Sequence, residues 1–116
     1  MLETFEDIAG KHTILVQDLY SFEKERRASE ADPSVQLINV VAVMKGLLGT
    51  KGYDAPMIAV RDMIIQAEIE AVQEYERLRK QKNLNEAQVD YVEGLFQFMA
   101  GHIYFSATAP RYGYVY

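Results

Sequence analysis

The chain has no cysteine and no tryptophan, only 3 prolines, and no apolar run that approaches a membrane span. Each absence removes a class of reading. Without cysteine there are no disulfides and no thiolate metal sites. Without an apolar segment of roughly twenty residues, no transmembrane helix is expected. Basic residues are also scarce: 12 Lys and Arg against 17 Asp and Glu give a formal net charge of -5. That sign opposes a phosphate backbone, so nucleic acid is not an expected partner. Met1 is followed by Glu3, Glu6 and Asp7 without the basic-then-apolar order of a signal peptide, so the expectation is a cytoplasmic protein. What is present is globular in balance, with 49% hydrophobic and 25% charged residues in 116, enough for one domain on the small side.

The few breakers divide the chain into four helical stretches, so the expected fold is all-α. Residues 2 to about 28 carry Phe5, Ile8, Ala9, His12, Leu15, Val16 and Leu19 at three- and four-residue steps. Pro33 closes this stretch, because the residue before a proline disfavours helix. Residues 34–48, with Ser34 as cap, are apolar on most sides, and Gly49-Thr50-Lys51-Gly52 stops them. Residues 54–82 form a long third helix with Asp54 and Pro56 near its start. Ile58, Met63, Ile65, Ile69, Val72 and Leu78 supply its apolar component, and its end from Glu74 is charged enough to project into solvent. Asn85 caps the fourth, residues 86 to about 107, where Tyr91, Leu95, Phe98, Met99, His102 and Phe105 mark an aromatic face that Pro110 ends. No repeat or internal boundary divides residues 1–116.

The stretch Val16-Gln17-Asp18-Leu19-Tyr20-Ser21-Phe22-Glu23-Lys24-Glu25 carries the chemistry. On a helix Gln17, Ser21 and Glu25 lie four residues apart, each step drifting only about 40° around the axis. Three oxygen-bearing side chains on one stripe make half a site for a hard cation, and Lys24 stands beside them for an anion. The plainer reading is a solvated polar stripe. His12 and His102 lack the spacing of a metal pair and read as packed or partly exposed residues. Asn39, ahead of Val40-Val41, reads as a buried polar anchor.

This stretch resembles the second metal-binding motif of the class I terpene cyclases. Asp18, Leu19, Ser21, Lys24 and Glu25 match that motif, whereas Gln17 stands where the family has Asn or Asp. Gln offers the same carboxamide oxygen on a stem one methylene longer. The family ends its last helix in an Arg-Tyr pair, and this chain has Thr108-Ala109-Pro110-Arg111-Tyr112 at the matching place. The resemblance implies the C-terminal part of an α-helical catalytic bundle. It implies Mg²⁺ held by Gln17, Ser21 and Glu25, and an isoprenoid diphosphate bound by Lys24, Arg111 and Tyr112. It also implies Phe105 as an aromatic facing the carbocation, by cation–π attraction; simple packing is the plainer role for that ring.

The family's Asp-rich motif and its diphosphate-sensing Arg on earlier helices have no counterpart here. The resemblance therefore implies a chain active only when completed, either by the missing N-terminal part of the domain or by a second copy of itself. A fragment, a cleaved chain and a shortened gene product all fit. The competing expectation is a non-catalytic helical bundle that self-associates through apolar faces.

Overall fold

A computed structural model describes the backbone of residues 2–80 and 84–108, with side chains up to residue 101. Four helices hold most of the described residues: α1 (Glu3–Ala31), α2 (Val40–Leu48), α3 (Asp54–Lys80) and α4 (Glu86–Thr108). The all-α expectation holds, and no described helix is long and apolar enough to cross a membrane.

α1 is the central element, and α2, α3 and α4 all pack on it. Its apolar spacing explains why. Phe5, Ala9, His12, Leu15, Val16, Leu19 and Phe22 are buried along its length, in the pattern of a helix covered on more than one side. Two clusters result. Towards the C-terminal half of α1, Leu15, Val16, Leu19 and Phe22 meet Val41 of α2 and Val60 and Ile64 of α3. Towards its start, Phe5 and Ala9 meet Ala71 of α3 and Val92 and Met99 of α4. Phe5 packs edge-on to Phe96, with centroids 5.0 Å apart, and Phe22 tilts against Tyr53 at 4.7 Å. The contacts run in opposite order along α1 and α3, which are antiparallel, and in the same order along α1 and α4, which are parallel. Ala9, Ala67 and Ala71 are small enough to let α1 and α3 approach closely.

Three expectations are corrected. The second helix begins at Val40, not at residue 34. Its cap is Asn39, whose Oδ1 accepts the Val41 N–H at 2.8 Å, while the Ser34 hydroxyl and N–H both donate to Asp32 in a turn. On α3 the buried side is Pro56, Val60, Ile64, Ala67, Ala71, Glu74 and Leu78. Ile58, Ile65, Ile69 and Val72 face outward instead, 45–56% exposed. Finally, the charged end of α3 does not project free: Glu74 and Leu78 are buried, and Tyr75 stacks edge-on to Phe96. Asn85 caps α4 as expected, in a reciprocal pair of bonds with Gln88.

Candidate functional site

The oxygen row lies on the C-terminal half of α1. Gln17 is exposed, Ser21 is buried at 7% exposure, Glu25 is half-buried and Lys24 is exposed. A solvated stripe would leave all three oxygens open, so the burial of Ser21 argues against that reading. Beyond Gln17 towards the start of α1, the same helical face continues through Thr13, Gly10 and Glu6. There a groove of about 260 Å³ opens between α1 and α4, walled by Ala9, Gly10, Thr13, Leu95 and Phe98 and closed by Glu6 and Tyr91. The Tyr91 hydroxyl donates to Glu6 at 2.9 Å, which raises the phenol above its ordinary range. Thr13 turns its hydroxyl onto the Ala9 carbonyl, so the groove wall it presents is chiefly its methyl. An apolar groove and an oxygen row therefore share one face of one helix.

The row is anchored from α2. Glu25 Oε2 accepts a bond of 2.6 Å from Asn39 Nδ2, which also donates to the Asp18 carbonyl at 2.8 Å. The Asp18 carboxylate accepts the Val40 N–H at 2.9 Å. Asp18 is thus a docking group for the start of α2, and Asn39 is the buried polar anchor that its sequence context suggests. The sequence marks Asn39 only as a polar residue within an apolar run, and the docking role of Asp18 carries no local signal.

Among the other expected residues, Arg26 forks between Glu23 and Glu30 at 2.7 and 2.8 Å, and these carboxylates, Glu23 foremost, raise its pKa further above the usual value. Arg27 donates to the Glu23 carbonyl. His12 is fully buried, with Nε2 3.2 Å from Glu68 and Nδ1 unpartnered. It lines a cavity of about 240 Å³ with Glu68, Val72, Phe96, Met99 and Ala100, on the far side of α1 from the oxygen row. Arg111 and Tyr112 lie outside the described residues, as do the side chains of His102 and Phe105. Helical register alone places position 105 on the α4 stripe of positions 91, 95 and 98.

No group of three His, Cys, Asp or Glu among the described residues is gathered as a metal site. The oxygen row is of a different kind: carboxamide, hydroxyl and one carboxylate. Such a set has only hard donors and suits Mg²⁺, which binds through few protein ligands and keeps its remaining positions for water and phosphate. Glu25 retains acceptor capacity for this, because the bond from Asn39 occupies only one of its oxygens.

No family model matches the chain. Two curated proteins are similar to it. One is terpene cyclase 6 of Gibberella fujikuroi, 35% identical over 108 residues, which are 92% of this chain and 28% of that protein. The other is terpene cyclase aneC of Aspergillus aculeatus, 29% identical over 112 residues, which are 97% of this chain and 25% of that protein. The chain thus spans about a quarter of the length of the curated relatives it matches. Over that partial region, this all-helical chain is related to the terpene cyclases.

Proposed function

We propose that the chain supplies one wall of the catalytic site of a Mg²⁺-dependent class I terpene cyclase, which ionises an isoprenoid diphosphate and cyclises the resulting carbocation. The observation that carries this reading is the shared α1 face, with the row Gln17, Ser21 and Glu25 leading into an apolar groove floored by Leu95 and Phe98. Gln17, Ser21 and Glu25 would hold Mg²⁺, which when bound neutralises charge on the departing diphosphate. Lys24 adds a cation next to the row, and Arg111 and Tyr112 are proposed to hydrogen-bond the diphosphate, Arg through its planar fork. The groove offers hydrocarbon and aromatic surface; once the completed domain closes it to water, such a lining would let a carbocation survive long enough to rearrange. Phe105 is proposed to turn a ring face towards that charge. Completion of the site requires the remaining part of the helical domain or a second copy of this chain. The proposed location is the cytoplasm.

Calorimetry with inorganic diphosphate tests this reading. Binding is expected only with Mg²⁺ present, and Glu25→Ala or Arg111→Ala should abolish it. The exposed apolar stripe of α3 favours a second reading, a non-catalytic bundle that self-associates. Diphosphate binding that is absent or indifferent to Mg²⁺ would decide for the bundle.

A further inference from the structure

We infer that Asn39 positions the Glu25 carboxylate for its cation, so that the start of α2 is a working part of the oxygen row. The inference rests on the metal reading proposed above. Asn39 is 3% exposed, and each part of its amide has a use. Nδ2 donates to Glu25 Oε2 at 2.6 Å and to the Asp18 carbonyl at 2.8 Å, and Oδ1 accepts the Val41 N–H at 2.8 Å. The opposite amide orientation would set its oxygen against two acceptors and its NH₂ against a donor, so the network itself fixes the assignment. A helix cap needs only the Oδ1 bond, and Ser or Thr would serve as well. The two Nδ2 bonds reach back 14 and 21 residues to α1 and do nothing for the cap. They hold one oxygen of Glu25 and leave the other for a ligand, on a side chain that otherwise has several rotamers.

Substituting a residue that orients a metal ligand typically weakens metal binding about 10–100-fold. The test uses Mn²⁺ as probe, titrated into the full chain with inorganic diphosphate and followed by electron paramagnetic resonance. Asn39→Ser keeps a capping oxygen and removes the donor to Glu25. Its Mn²⁺ affinity is expected to fall about 10–100-fold, with helix content close to wild type. Affinity within twofold of wild type, while Glu25→Ala abolishes binding, would overturn the role of Asn39 and leave the metal reading standing. Wild-type chain that binds no Mn²⁺, or binds it equally after Glu25→Ala, would remove the metal reading and this inference together. A second measurement needs no variant: trace Mn²⁺ should broaden the side-chain amide NMR signals of Asn39 and spare those of Asn85, the cap of α4. Equal broadening of both, or of neither, also overturns the inference.

Discussion

At the scale of single residues, burial decides which charges matter. Glu74 is 8% exposed on the inner side of α3, yet it carries a carboxylate. Arg77 makes this tolerable with two bonds of 2.6 Å. Those bonds hold the Glu74 carboxyl below its ordinary value of 4.5, against the opposing effect of burial. A carboxyl with a lowered folded-state pKa adds stability above its ordinary value and loses it as pH falls through the folded-state value. Arg77→Met should therefore cost about 1–3 kcal/mol at neutral pH, because a buried acceptor loses its partner. The gap to wild type should narrow progressively as pH falls below 4.5, as read by urea denaturation at several pH values. Arg26→Met makes the contrast: its partners Glu23 and Glu30 are 42% and 63% exposed, so a much smaller loss than for Arg77→Met is expected. The charge run from Glu74 reads as solvated in sequence, and nothing local marks Glu74 as the inward member. The oxygen row was legible, since Gln17, Ser21 and Glu25 belong to one helix. Its anchor was half legible, because Asn39 reads as a buried polar residue in an apolar run, but neither its capping role nor its bond to Glu25 shows there.

At the scale of elements, the same division between local and distant causes explains what the sequence conveyed. The starts of α3 and α4 follow from nearby punctuation, Asp54 and Pro56 for the one and the Asn85–Gln88 exchange for the other. The start of α2 does not, because residues 34–39 are apolar enough for helix and only docking on α1 gives Asn39 its extended backbone (φ -157°, ψ 141°). The buried side of α3 was illegible for another reason. Ile58, Ile65, Ile69 and Val72 form as good a stripe as Val60, Ile64, Ala67 and Ala71, so periodicity offers two answers. The end of α2 yields a paired prediction. Gly49 sits in the left-handed region at φ 67°, with its N–H on the Lys45 carbonyl at 3.0 Å. Gly49→Ala should destabilise by about 1 kcal/mol, since a Cβ disfavours that backbone. Gly46, inside α2, has nothing within 4 Å of an added Cβ. Gly46→Ala should stabilise by roughly 0.5–1 kcal/mol through helix propensity. Opposite shifts in urea midpoint are the expected result, and shifts of the same sign would refute this account of the α2 end.

At the scale of the whole molecule, two clusters strung along α1 make a slab, not a sphere. Its extents are 53 × 31 × 24 Å and its radius of gyration is 16.8 Å, against about 13 Å for a compact domain of this length. A slab of this size leaves apolar side chains without cover. Ile58, Ile65 and Ile69 on α3 are 45–56% exposed, and Leu47 on α2 is 75% exposed. Contiguous apolar surface of this kind marks an interface on most proteins. The chain spans about a quarter of the length of the curated relatives it matches, and its outer α3 stripe is uncovered. The sequence showed the surplus of apolar residues, but only the fold shows which of them are spent inside. The chain in isolation should therefore associate as its concentration rises in sedimentation velocity runs. Ile65→Lys combined with Ile69→Glu should suppress that association. Each change should shift the urea-derived stability by no more than about 0.5 kcal/mol, because these side chains are 53% and 45% exposed. Buried neighbours give the opposite control: Ile64→Ala should cost roughly 2–5 kcal/mol without relieving association. If the double variant associates as strongly as wild type, the outer stripe of α3 is not the sticky face, and the uncovered side chains of α2 become the surface to test.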